Sequence, residues 1–176
     1  IYAGPPFTNV EQQNAQAFLN RLITGSEMTE RNPVLKQMTQ FTELKVKVCN
    51  SCNHQFTIKL HGHMLQVPIV ESEKNINRML NHLLAQSTTP DLRCSNCGKE
   101  SYREQIQIKN PSNFLILHLQ LWGKGANKQL VKNTNLQLNS LPSTDLAVDG
   151  IRYRLHAVLF HHGETAKQGH YTAIVR

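Results

Sequence analysis

Cys49-Asn50-Ser51-Cys52 and Cys94-Ser95-Asn96-Cys97 decide how the rest of this chain is read, and they hold all four of its cysteines. A Cys-x-x-Cys turn sets two sulfurs on one side of a tight bend. Two such turns facing each other make a tetrahedral four-thiolate site for Zn²⁺. A pair of disulfides would use the same residues, but nothing else in the sequence points to secretion, and thiols in a reducing compartment seldom pair in that way. Four unrelated buried cysteines would not share a spacing. The four-cysteine reading carries a chemical consequence: with every sulfur on metal, no cysteine in the chain is left to act as a nucleophile.

The residues around the knuckles say what the site would clamp. Leu44, Val46 and Val48 alternate into the first knuckle, and Phe56, Ile58 and Leu60 alternate out of it, which predicts a strand, a metal-holding turn and a returning strand. Leu65, Val67 and Ile69 alternate again, as do Ile106 and Ile108 after the second knuckle. Between the knuckles, Ile76, Met79, Leu80, Leu83 and Leu84 mark a helical stripe, with Ser72 as its cap and Thr88-Thr89-Pro90 as its end. His54, His61 and His63 lie nearby, but four cysteines already complete a tetrahedral site, so these read as surface histidines on a sheet.

Towards the N-terminus, Gly4-Pro5-Pro6 forms an extended lead-in. Thr8 and Glu11 have capping-box spacing, and Phe18, Leu19, Leu22 and Ile23 recur with helical period before Gly25, which predicts a helix over Glu11–Thr24. Towards the C-terminus, Phe114–Leu121 reads as a nearly continuous buried strand ended by a Gly123-Lys124-Gly125 turn, and Leu130–Leu141 as a surface hairpin or edge. That Gly-x-Gly lacks the following Lys and Ser/Thr helix of a phosphate loop. Tyr153, Leu155, Ala157 and Leu159 alternate toward His161-His162-Gly163. The loop Glu164–Gln168 leads to Gly169-His170-Tyr171, and a strand then runs over Thr172–Val175. A histidine directly after a glycine, at the start of a strand and facing a loop, is well placed for proton transfer.

Bulk properties bound the function. The 176 residues suit one domain or a large piece of one; 39% are hydrophobic, and no apolar run is long enough to span a bilayer. The formal charge is +7, but the basic residues are scattered with no run of five, which argues against a nucleic-acid surface. The chain opens on Ile1 without a leader, so a segment of a longer cytoplasmic or nuclear protein is expected.

Taken together, these stretches resemble the catalytic domain of the ubiquitin-specific proteases, the zinc-containing cysteine deubiquitinases. Gln12-Gln13-Asn14-Ala15-Gln16-Ala17-Phe18-Leu19 is similar to the family's Gln-Gln-Asp-Ala-x-Glu-Phe-Leu helix, with Asn14 and Ala17 in place of the two acids. The paired knuckles match its finger zinc site. Phe114–Trp122 resembles the core strand before the palm, apart from Gln120 and Trp122. Tyr153 to Val158, His161-x-Gly163 and Gly169-His170-Tyr171-Thr172-Ala173 resemble its histidine box.

The resemblance implies an α+β, papain-like hand with a mostly antiparallel sheet and fingers stapled by zinc on Cys49, Cys52, Cys94 and Cys97. Here it would be a partial domain: residues 1–43 the thumb helix region, 44–110 the fingers, and 111–176 the palm with its histidine box. It implies hydrolysis of isopeptide bonds at the C-terminus of ubiquitin, with His170 as the base. Asn14, Gln16, Gly169 and Tyr171 would line the ubiquitin tail, where Asn14 removes a charge. The family's cysteine box precedes the Gln-Gln helix and its Asp or Asn follows the histidine strand, so the segment alone is expected to be inactive. Two other readings remain open at this stage: a non-catalytic ubiquitin-binding scaffold, and a zinc-ribbon nucleic-acid binder. Full separation of the knuckles by a helix and strands counts against the second.

Overall fold

The strands that run into and out of the two knuckles build the main sheet of this computed structural model, which describes residues 14–25, 33–70, 73–124, 130–132, 146–165 and 168–176. Strand β1 (Phe41–Cys49) pairs antiparallel with β2 (Gln55–Gly62) across the first knuckle. Strands β4 (Ser87–Arg93) and β5 (Glu100–Lys109) pair antiparallel across the second. Pairing of β1 with β5 joins the two hairpins into one four-stranded sheet, ordered β2-β1-β5-β4. The register sets Cys49 opposite Tyr102, so both knuckles fall at the same end of the sheet. Pro90 lies in β4, an edge strand, where its missing N–H costs no ladder bond inside the sheet.

The opposite end of β1 enters the main core. Helix α3 (Ile76–Leu84) sets Ile76, Met79 and Leu80 on one face, at the i, i+3, i+4 spacing that a single buried stripe requires. Met79 and Leu80 join Phe41, Leu65, Val67, Ile108, Leu146 and Val148 in one buried cluster. Removing each such side chain from water contributes roughly 1.5–3 kcal/mol, so this cluster dominates the fold. Gly62 is small for the same core: a Cβ there would stand 2.8 Å from Cζ of Phe41. A second buried cluster, Cys49, Cys94 and Tyr102, lies at the knuckle end and is far smaller.

The remaining elements are short. Helix α1 spans Ala15–Thr24 and α2 spans Pro33–Thr39. Strand β3 (Leu65–Pro68) pairs with β6 (Leu117–Gln120), and β7 (Trp122–Lys124) with β8 (Leu130–Lys132). Strands β9 (Leu146–Val148) and β10 (Ile151–Tyr153) form a hairpin over Asp149 and Gly150, both at positive φ as a tight two-residue turn demands. The last hairpin joins β11 (Ala157–Thr165) to β12 (Gln168–Val175).

Several expectations are corrected. Helix α1 begins at Ala15 rather than Glu11, because the Asn14 side chain accepts from the Ala17 amide and caps it there. The expected capping box lies outside the described residues. Asn75, not Ser72, caps α3 by accepting from Asn77 and Arg78, while Ser72 lies outside the described residues. The stretch Thr88-Thr89-Pro90 does not end that helix but belongs to β4; α3 stops at Leu84. Phe114–Leu121 yields only the four residues of β6: Phe114 is exposed, and the Leu121 amide turns back to the Leu119 carbonyl. β6 runs parallel to β3, the one parallel pair among the described strands. Gly123 and Lys124 of the expected turn belong to β7, and Gly125 lies outside the described residues. The hairpin or edge expected over Leu130–Leu141 lies, apart from β8, outside the described residues. Arg154–His156 interrupts the strand expected over Tyr153–Leu159, and β12 starts at Gln168, four residues before Thr172.

Candidate metal centre and histidine hairpin

The two knuckles fold by the same local rule. In the first, the Cys49 amide donates to the His54 carbonyl and the Asn53 amide donates back to the Cys49 carbonyl. In the second, Cys94 and Lys99, then Gly98 and Cys94, repeat both bonds at the same offsets. Asn53 and Gly98, each directly after the second cysteine of its pair, take positive φ of 58° and 73°. Asparagine and glycine are the residues that adopt this conformation at least cost, so each knuckle closes as a tight loop.

The four sulfurs converge, all within 4.8 Å of one another, and no other described histidine, cysteine or carboxylate joins them. The close approaches run between the knuckles: Cys49 to Cys97 and Cys52 to Cys94, both 3.7 Å. Zn–S bonds of about 2.3 Å in a tetrahedron place sulfurs about 3.8 Å apart, so the donor set fits the ion with little adjustment. The cysteines are free thiols. A hydrogen bond from Tyr102 brings Cys94 down to about 6. The Lys99 amide favours the Cys97 thiolate, yet burial and the neighbouring thiols push that group up to about 11. Four sulfurs crowd one point, and Cys97 is the group that this crowding holds in its thiol form. His61 and His63 lie apart from this cluster, facing Thr42 and Thr39 at 3.4 and 3.0 Å.

His170 lies on β12, exposed, opposite His162 of β11, with 6.4 Å between the two ring centroids. His162 is held by Thr172 at 2.7 Å. Gly169 and Tyr171 flank His170 on the same strand. The Tyr171 hydroxyl accepts from the Ala15 amide at 3.4 Å, so the start of α1 meets the histidine hairpin. Asn14 caps that helix end, and Gln16 is half-buried in its first turn. Thus the helix start that carries Asn14 and Gln16 touches the strand that carries Gly169, His170 and Tyr171 through the contact of Ala15 with Tyr171, while the four cysteines form a cluster of their own. With every cysteine of the chain in that cluster, His170 has no thiol partner of its own.

Sequence reasoning assigned no role to Lys132, Trp122 or Tyr102. Lys132 reaches the carbonyls of His161 and Gly163, Trp122 lies 5.8 Å from the His161 ring, and Tyr102 is buried against the knuckles. The first two sit on three-residue strands with no periodicity to notice, and Tyr102 reads as an ordinary strand aromatic.

An α+β domain whose mostly antiparallel sheet is closed at its tip by four cysteines has the architecture of a ubiquitin-specific protease domain. The family model described as ubiquitin carboxyl-terminal hydrolase matches residues 2–176, and the chain belongs to that family of deubiquitinating hydrolases. It is 27% identical over 120 residues to ubiquitin carboxyl-terminal hydrolase 10-B of Xenopus laevis, covering 60% of this chain and 15% of that one. It is 31% identical over 112 residues to ubiquitin carboxyl-terminal hydrolase 24 of Arabidopsis thaliana, covering 58% and 20%. Among solved structures, the SAGA Ubp8/Sgf11/Sus1/Sgf73 DUB module bound to ubiquitin aldehyde superposes with a TM-score of 0.74 at 18% identity, over 94% of this chain and 42% of that one. The chain therefore spans a fifth or less of the length of these two relatives and under half of that solved chain. Among the described residues, no helix is long and apolar enough to cross a membrane.

Proposed function

We propose that this chain is the middle and C-terminal portion of the catalytic domain of a cysteine deubiquitinase that cleaves isopeptide bonds at the C-terminus of ubiquitin, with His170 as its base. The observation that carries the reading is the contact between Tyr171 and Ala15, which sets the start of α1 against the histidine hairpin. In this reading residues 1–43 belong to the thumb, 44–110 to the fingers and 111–176 to the palm. Asn14, Gln16, Gly169 and Tyr171 border the cleft for ubiquitin's tail. Flanking sequence supplies the nucleophilic cysteine and the Asp or Asn that orients the imidazole. His170 takes the thiol proton, the thiolate adds to the tail's last carbonyl, and the imidazolium returns the proton to the departing amine. Water then hydrolyses the thioester.

Cys49, Cys52, Cys94 and Cys97 would hold Zn²⁺, which cross-links the two hairpin turns and takes no part in the chemistry. Reduced thiolates of this kind suit the cytoplasm or nucleus.

The test uses ubiquitin carrying a C-terminal electrophile together with a fluorogenic ubiquitin amide. The natural full-length polypeptide should form the adduct and turn over the amide, and His170→Ala should lower turnover by at least about a thousandfold. The 176-residue chain alone should form no adduct; an adduct on any of its four cysteines would refute the assignment. Asn14 and Ala17, standing where the family has acids, favour a second reading as a ubiquitin-binding scaffold. Tight binding without turnover by the natural polypeptide would decide for it.

A further inference from the structure

Lys132, on β8, makes an unusual set of contacts for a short edge element. Its ammonium donates to the carbonyl oxygens of His161 and Gly163, both at 2.8 Å, and lies 3.3 Å from Nδ1 of His161. These use all three ammonium protons. The same nitrogen stands 5.8 Å over the Trp122 ring. An ammonium can only donate, so Nδ1 of His161 must be the bare acceptor and Nε2 must carry the proton. Burial, then the charges of Lys132 and His162, also hold His161 below the usual histidine range, keeping the ring neutral.

The His161 ring is in turn the surface on which both neighbours of His170 rest. On one side it fills the space where a Cβ of residue 169 would be, with Nε2 overlapping that point. On the other it lies against Tyr171, with centroids 4.9 Å apart. The two carbonyls that Lys132 grips bracket His162, the cross-strand partner of His170, and that of Gly163 falls within the irregularity between His162 and Thr165. Without a cation at this point, the strand carbonyls would lose their donor where the ladder is weakest.

We propose that Lys132 is a positioning residue for His170, acting through the ring of His161. The inference rests on reading His170 as the base. Its substance is that an ammonium on a separate hairpin fixes one ring's tautomer and place, and that this ring sets the backbone on either side of the catalytic imidazole.

The experiment compares the natural full-length polypeptide with its Lys132→Met variant, which keeps the aliphatic stem and removes the donors. On a fluorogenic ubiquitin amide, kcat should fall about 10–100-fold, the cost of misplacing a reacting group by a fraction of an ångström to an ångström. KM should change less than kcat, within about threefold, since Lys132 is not itself one of the residues assigned to the tail cleft. In ¹⁵N-histidine-labelled protein, His161 should show the Nε2–H tautomer in the parent. In the variant it should show mixed tautomers and an upward-shifted titration. If Lys132→Met does not stay folded, Lys132→Gln keeps one carbonyl donor and should show the same changes to a smaller degree. A parental kcat in the folded variant, or an Nδ1–H tautomer in the parent, overturns the proposal. If His170→Ala retains full turnover, the reading of His170 fails instead, and the His161 spectra still decide whether the staple exists.

Discussion

At the scale of single residues, Gly169 is the most constrained position beside His170. A Cβ there would overlap the His161 ring nitrogen and lie 2.5 Å from the His162 carbonyl oxygen. The ring could swing only by abandoning Lys132, and the carbonyl belongs to the paired strand, so neither neighbour can yield cheaply. Gly169→Ala should therefore destabilise the hairpin by about 1–3 kcal/mol, in the range of other overpacking substitutions. It should also lower turnover of the full-length protein more than about tenfold by displacing His170. Gly123 is the matched control, because a Cβ added there would meet nothing within 4 Å. Gly123→Ala should leave both thermal midpoint and turnover unchanged. Equal effects at the two positions would show that the Gly169 contact is not the cause. Tyr102 offers a second residue-scale prediction. Its hydroxyl donates to Cys94, and the paired thiolates hold the phenol up at about 12. Tyr102→Phe should weaken zinc binding about tenfold, as loss of an outer hydrogen bond does at other metal sites. Competition with a chromophoric chelator measures it.

At the scale of elements, the four-stranded sheet has a strong end and a weak one. Phe41 and Ile108 anchor its base in the main core, whereas at the tip only Cys49, Cys94 and Tyr102 are fully buried among the described residues. Chelation, or Cys94→Ser, should thus release amide protection at residues 49–53 and 94–98 while α3 and β3 stay protected. Hydrogen exchange read residue by residue distinguishes this from global melting, which would mean that the metal supports the whole fold. The tip is also the most legible part of the sequence, because the Cys-x-x-Cys spacing and the alternation of Leu44, Val46 and Val48 are local signals. The α3 stripe is equally plain. What the pattern does not reveal is set by neighbours. Asn14 and Asn75 displace the expected caps, β4 tolerates Pro90 because it is an edge, and α2 at Pro33–Thr39 has too few turns to show a period. His170 and its flanks can be singled out from sequence, but the contact of Tyr171 with Ala15 joins residues 156 positions apart and has no local trace.

At the scale of the whole molecule, the histidines couple folding to pH. His63, His118 and His161 are all held below the ordinary histidine value, chiefly by burial, with Lys36 adding to the effect at His63 and Lys132 and His162 at His161. Because these groups are depressed in the folded state, the unfolded chain binds protons first as pH drops. Their contribution is fully present above the unfolded value near 6.5 and is lost as pH falls through it toward the folded values. The thermal midpoint should therefore decline between about pH 7 and 5.5. A second effect has the same sign: the chain already carries +7 with its nine histidines neutral, so protonation adds to self-repulsion. Salt separates the two, since it screens surface charge but not the burial of a ring. If these half-buried histidines are responsible, the decline should persist at about 1 M NaCl. It should shrink in a His63→Gln, His118→Gln double variant at either salt concentration. A decline that disappears in salt would assign it to net charge, and a midpoint that holds or rises toward about pH 5.5 would show that these rings do not govern acid stability.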